Sequence, residues 1–183
     1  MRDDGVIYFH GYGSSPTTDK VTELKKHFKE VYAFPIDPDP SVSIPYLEQA
    51  IMDLYTETQH SDNELVFVGT SLGAWYAGWM ARKFYTTAVL INPRYSNSDF
   101  KNGSTMPTEI SKLYEGYPFL YPSQTKFFID PNDEVIDMTN LMEELKYTEK
   151  LLKYKPEYVP GATHRFNGEP FQKVIQFIQN ENF

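Results

Sequence analysis

Four short stretches of this sequence carry residues whose types and spacing suit chemistry. In the first, Gly69, Thr70, Ser71, Leu72 and Gly73 set a serine between two glycines, after the apolar run Leu65, Val66, Phe67, Val68 and before an alanine-rich stretch through Ala74, Ala77 and Ala81. A G-x-S-x-G sequence is informative only with a strand before it and a helix after it, and both are predicted here. At such a turn the serine backbone is strained and its hydroxyl stands exposed above the sheet, while a Cβ at either glycine collides with neighbouring backbone. The chemistry this serves is attack of a hydroxyl on an acyl carbon. The plain alternative is a glycine-rich turn with Ser71 as a helix N-cap.

A serine hydroxyl is a weak nucleophile near neutral pH and needs a base, usually a histidine held by a carboxylate. For a nucleophile on a strand-to-helix turn the chain order is Ser, then Asp or Glu, then His. Of the four histidines, His164 in Gly161, Ala162, Thr163, His164 satisfies that order. His27 and His60 read as solvated surface residues, and His10 as a residue that orders its own loop. The acid is expected after the penultimate strand, where Asp130, Pro131, Asn132, Asp133, Glu134, Val135, Ile136 and Asp137 offer an excess of carboxylates. Asp133 at the loop apex is the first choice. Asp130, which closes the strand, is the reserve, and Asp137 is placed to cap the next helix. A calcium loop is the competing reading of this run, but the glycine and distal glutamate of the EF-hand are missing.

Acyl transfer through a tetrahedral intermediate also needs N–H donors aimed at the developing oxyanion. Leu72 N–H, following the nucleophile at a helix N-terminus, is one candidate. The second is expected in the loop after the first strand, His10, Gly11, Tyr12, Gly13, Ser14, Ser15, Pro16, where Tyr12 N–H is chosen. That loop lacks both G-x-G-x-x-G and the lysine and hydroxyl pair of a phosphate-binding P-loop. Tyr12, Trp75 and Tyr117, with Phe119 and Tyr121, either line an acyl or alcohol pocket or serve as ordinary core.

The elements that must hold these groups follow from the pattern of apolar residues. Short β-branched and aromatic runs at 6–10, 31–36, 65–70, 88–92, 126–130 and 157–159 alternate with helical stretches and end in Gly, Pro, Ser, Asn or Asp. Continuous apolar runs suit parallel strands covered on both faces. Leu47, Ile51, Leu54 and Tyr55 share one helical face, as do Phe171, Val174, Ile175 and Ile178, and a buried central helix is predicted after Ser71. Together these predict an α/β fold with one doubly wound, mostly parallel sheet, helices on both faces, and ligands at the carboxyl ends of the strands. Residues 94–124 are rich in Ser, Asn, Gly, Pro and Tyr without a strong period, and read either as a short cap over the site or as a decorated surface connection.

At 183 residues the chain fits a single domain, 1–183. Its 40% apolar and 23% charged residues are those of an ordinary globular protein. The net charge of −8 argues against nucleic acid or an anionic membrane surface as partner. With no cysteine there is no disulfide, thiolate metal site or cysteine nucleophile. Absence of a signal-peptide pattern and of a run near 20 apolar residues leads to the expectation of a cytoplasmic protein, neither exported nor inserted. Composition leaves the oligomeric state open.

These motifs resemble the α/β-hydrolase superfamily and, within it, the small bacterial YqiA/YcfP-like esterase family. The resemblance covers nearly the whole chain and rests on His10-Gly11-Tyr12-Gly13-Ser14-Ser15-Pro16, Gly69-Thr70-Ser71-Leu72-Gly73, Ile91-Asn92-Pro93, Asn132-Asp133-Glu134-Val135 and Gly161-Ala162-Thr163-His164. It implies a Ser71, Asp133, His164 triad hydrolysing short acyl esters without metal or cofactor. Where the family has glycine before the acid, this chain has Asn132, a residue tolerant of left-handed backbone. The expected activity is thus a serine esterase with a small-molecule ester substrate. A thioesterase or lipase on the same triad is the near alternative, and a non-catalytic small-ligand binder on the same fold is the distant one.

Overall fold

The computed structural model describes residues 5–58, 65–96 and 106–181. Six strands form one sheet: β1 (Gly5–Phe9), β2 (Val31–Ala33), β3 (Leu65–Thr70), β4 (Ala88–Ile91), β5 (Thr125–Ile129) and β6 (Glu157–Tyr158). Their spatial order is β2-β1-β3-β4-β5-β6 and every pairing is parallel. All six expected strands are present. β2 stops at Ala33 instead of Ile36, because Pro35 follows and cannot donate to a ladder.

Period-two alternation splits the strands between two apolar layers. Ile7, Phe9, Leu65 and Phe67 face one side, where they pack with α2 (Pro40–Thr58) and α3 (Leu72–Lys83). Val6, Tyr8, Val66 and Val68 face the other, under α1 (Asp19–Leu24) and α6 (Glu169–Asn180). The helical faces read from the sequence are the buried ones: Leu47, Ile51 and Leu54 in α2, and Phe171, Val174, Ile175 and Ile178 in α6. Besides α1, two further helices not read from the sequence are present, α4 (Thr108–Lys112) and α5 (Thr139–Thr148). No helix among the described residues is long and apolar enough to cross a membrane.

The chain starts in the middle of the sheet at β1, steps outward to β2, then returns to β3 on the other side of β1. The carboxyl ends of β1 and β3 therefore flank the topological switch point, where open α/β sheets bind ligands. Over the adjoining face the segment 106–124 runs across α3. The backbone carbonyl of Leu120 passes so close to Gly78 that a Cβ there would lie 2.4 Å from it. Tyr114 Oη donates to Pro38 O at 2.7 Å and shares a 2.9 Å hydrogen bond with Tyr76 Oη, fastening the segment to the loop before α2. Residues 97–105 of the expected cap, and His60, lie outside the described residues.

Candidate active site

Ser71 sits between β3 and α3 with φ 59° and ψ −121°, an unfavourable conformation for a residue with a Cβ. Two close backbone approaches enforce it. A Cβ on Gly69 would lie 2.3 Å from Gly73 O, and a Cβ on Gly73 would lie 2.0 Å from Phe9 O, so the turn tolerates only glycine at both places. Ser71 N–H donates to Ile91 O at 2.9 Å, and its carbonyl accepts from Ala74 N at 3.1 Å and Arg94 N at 3.3 Å. Ser71 occupies the N-cap position of α3, but its hydroxyl makes no capping bond to the helix.

The loops that carry Asp133 and His164 meet beyond β5 and β6. His164 Nδ1 lies 2.7 Å from Asp133 Oδ2, and Asp133 is fully buried. Asp133 Oδ1 accepts the N–H groups of Val135 at 2.7 Å and Ile136 at 2.8 Å, which fixes the carboxylate in place. Asp130 is occupied otherwise: Oδ1 accepts Asn132 N at 2.9 Å and Oδ2 accepts Thr163 N at 2.8 Å. Of the two aspartates, Asp133 is the one bonded to the imidazole. Asp137 Oδ1 accepts Thr139 N at 3.0 Å just before α5, whose N-cap position itself is Met138. Asn132 is not among the residues with positive φ, so this turn has no need of a left-handed residue at that position. The Ser71 hydroxyl and His164 are not hydrogen-bonded to each other among the described residues; such bonds are often long before substrate arrives.

The loop after β1 turns back through Ser14 N donating to Gly11 O at 3.2 Å, with Gly13 at φ 69°. It passes beside the serine, since a Cβ on Gly11 would stand 3.5 Å from Ser71 Cβ. Neither Tyr12 N–H nor Leu72 N–H has an acceptor among the described residues, and both belong to segments that border Ser71. His10 Nδ1 lies 3.0 Å from Gly11 O, so Nδ1 carries the hydrogen and orders this loop. Its Nε2 is buried without a partner. Burial lowers the His10 pKa from its ordinary value and keeps the ring neutral.

A cavity of about 390 Å³ opens under segment 106–124, lined in part by Trp75, Arg94, Tyr95, Tyr114, Tyr117 and Phe119. Trp75 and Tyr117 are thus at its wall, their rings edge-on at 6.3 Å. Tyr12 lies outside that lining and packs, half-buried, on the same apolar cluster. Tyr121 sits edge-on to Phe127 at 5.1 Å, as core. Arg94 is fully buried, its guanidinium 4.1 Å above the Tyr114 ring. Sequence reading gave Arg94 no role, although a charged residue directly after an apolar strand and a proline was the available signal. It also missed Glu134, whose Oε2 accepts His164 N at 2.9 Å, and Lys20, which donates to Arg165 O and to Asn167 Oδ1 at 2.8 Å. No group of three or more potential metal ligands occurs among the described residues.

Residues 5–104 match the family described as "Uncharacterised protein family (UPF0227)". That region holds the loop after β1 and the Ser71 turn, and ends before Asp133 and His164. Among solved structures, an esterase from Pyrococcus furiosus is similar over 97% of this chain and 81% of its own, with 17% identity and a TM-score of 0.73. A protein of Xanthomonas campestris pv. campestris assigned to the alpha/beta superfamily of hydrolases is similar over 99% of this chain and 100% of its own, with 16% identity and a TM-score of 0.66. The Francisella virulence factor BioJ is similar over 99% and 78%, with 17% identity and a TM-score of 0.66. At these identities the likeness establishes the fold.

Proposed function

The chain belongs to the UPF0227 family and has the α/β-hydrolase fold, and from that premise we propose that it is a serine hydrolase cleaving short to medium chain carboxylic esters. The observation that carries this reading is the 2.7 Å bond from a fully buried Asp133 to His164 Nδ1, on the same edge of the sheet as the strained Ser71. A carboxylate accepts only, so Nδ1 holds the hydrogen and Nε2 keeps its lone pair for the serine proton.

In the proposed reaction Ser71 Oγ forms a bond to the ester carbon while its proton passes to His164 Nε2. The negative charge moves to the former carbonyl oxygen, where the N–H groups of Tyr12 and Leu72 receive it. Collapse breaks the bond to the alcohol oxygen, which leaves with the proton from His164, and an acyl-Ser71 remains. Water then attacks by the same route, its proton taken by His164 and returned to Ser71 as the acid departs. Asp133 stays ionised throughout and holds the imidazolium. The aromatic wall of Trp75 and Tyr117 suits a short or medium acyl chain, although the cavity of about 390 Å³ to which it belongs is lined by neither Ser71 nor His164.

The test is hydrolysis of p-nitrophenyl esters of graded acyl length, together with labelling by a fluorophosphonate probe. Ser71→Ala is expected to abolish labelling and to lower kcat by on the order of 10⁶. A wild-type protein that neither labels at Ser71 nor turns over any ester or thioester of the series would overturn the reading.

A further inference from the structure

We infer that Asn92 is a positioning residue that locks the acid loop to the base loop and so sets the direction of the His164 side chain; this rests on the hydrolase reading above. Asn92 follows β4, is fully buried, and has φ 40°, a left-handed backbone in a residue other than glycine. Its own N–H donates to Phe128 O at 3.0 Å, which ties it to β5. One residue before it, Ile91 O accepts Ser71 N–H at 2.9 Å, so the same short stretch also touches the nucleophile turn.

The side chain spans the two loops that bring the acid and the base. Oδ1 accepts Asp130 N–H at 2.7 Å, and Nδ2 donates to Thr163 O at 3.0 Å. The amide orientation is forced, because a backbone N–H needs the oxygen and a carbonyl needs the NH₂ group. Asp130 Oδ2 closes the ring by accepting Thr163 N–H at 2.8 Å. Both backbone polar groups of Thr163 are thereby held by two buried side chains.

The consequence falls on the next residue. Thr163 O and His164 N belong to one planar peptide unit. Asn92 grips its oxygen end, and Glu134 Oε2 grips its nitrogen end at 2.9 Å. A plane held at both ends fixes the Cα of His164, and with it the direction from which the imidazole reaches Asp133. Thr163 at φ 62° and Phe166 at φ 49° are strained left-handed residues on either side of His164. Such backbone persists only where its surroundings over-determine it, and Asn92 with Asp130 supplies that constraint. Asparagine is required by chemistry as well as by size: aspartate has its shape but no donor for Thr163 O.

The test compares wild type, Asn92→Asp and Asn92→Gly. Aspartate keeps the shape and loses the donor, whereas glycine keeps the left-handed backbone and loses the side chain. The readouts are kcat and KM on a p-nitrophenyl ester, the rate of fluorophosphonate labelling at Ser71, and the downfield proton NMR signal of His164 Nδ1–H bonded to Asp133. Folded variants are expected to lose about 100-fold in kcat and labelling rate, with KM within about threefold of wild type, and to lose or shift the NMR signal. Folded variants with wild-type kcat and an unchanged signal would overturn the inference. Loss of the folded state in both variants would overturn it too, since Asn92 would then hold the fold and not the geometry. A wild type without labelling at Ser71 defeats the hydrolase reading instead, and the NMR signal still decides the role of Asn92.

Discussion

Asp133 and His164 are joined at 2.7 Å through Oδ2 and Nδ1, while Asp133 Oδ1 is already committed to the N–H groups of Val135 and Ile136. An amide in place of this carboxylate can turn its NH₂ toward the ring and favour the tautomer that carries hydrogen on Nε2, which cannot accept the serine proton. Asp133→Asn is therefore expected to lower kcat by about 10⁴-fold while far-UV circular dichroism stays that of the wild type. A larger loss for Asp130→Asn than for Asp133→Asn would exchange the two assignments.

The glycines around the serine turn differ in what they tolerate. A Cβ at Gly73 meets Phe9 O at 2.0 Å and His10 O at 2.5 Å, both backbone, with nothing flexible to yield. Gly73→Ala is expected to fail to fold or to lose at least about 3 kcal/mol in urea unfolding. Gly13, at φ 69° with open space of 4 Å around the place a Cβ would take, answers only to its backbone conformation, and Gly13→Ala is expected to cost about 1 kcal/mol.

His10 gives stability a pH dependence with a definite sign. Burial lowers its folded pKa below the ordinary 6.5, so the unfolded chain binds the proton more readily. The stabilisation from keeping His10 neutral is complete above pH 6.5 and declines as pH falls from there through the lowered folded value. In urea unfolding at about pH 7.5 and about pH 5, the advantage of wild type over His10→Gln should shrink at the lower pH. An advantage that is constant or grows on acidification would contradict the burial of a neutral imidazole.

Tyr117 is the wall residue best suited to probing acyl preference, because it is only half-buried, whereas Trp75 is packed among Tyr76, Trp79 and Tyr114. Truncating Trp75 to alanine would cost about 3–5 kcal/mol of stability and obscure the result. Tyr117→Ala is expected to raise KM about tenfold for the longer esters of a graded series, from the apolar contact it removes, and to leave kcat unchanged. Equal KM values across acyl lengths in wild type and variant would place the acyl chain elsewhere.

β1, β3, β4 and β5 were legible because β-branched and aromatic runs buried on both faces leave a continuous apolar signature, and α6 because its four core residues recur at helical spacing. The helices α1, α4 and α5 were not. Six residues in α1 and five in α4 make too few turns to show a period, and α5 buries only Leu141 and Leu145. At the site, the serine turn and the placing of Asp133 and His164 in loops after β5 and β6 could be read along the chain. The role of Asn92 could not, because it arises where β4, β5 and the loop around Thr163 meet in space. Backbone handedness was equally hidden: Asn132 was the natural place to look for a left-handed residue, yet outside glycine the positive φ values fall on Ser71, Tyr85, Asn92, Thr163 and Phe166. Segment 106–124 covers α3, so the cavity it forms takes in Trp75 and Tyr117 and leaves Tyr12 outside.

The order in which the sheet is laid down has a kinetic consequence. His164 lies between β6 and α6, the last two described elements, and α6 completes the apolar layer against Val66, Val68 and Phe128. The imidazole can meet Ser71 only after the C-terminal end has docked. During refolding, recovery of turnover should lag behind recovery of helical signal, so that activity reports the closing event of folding.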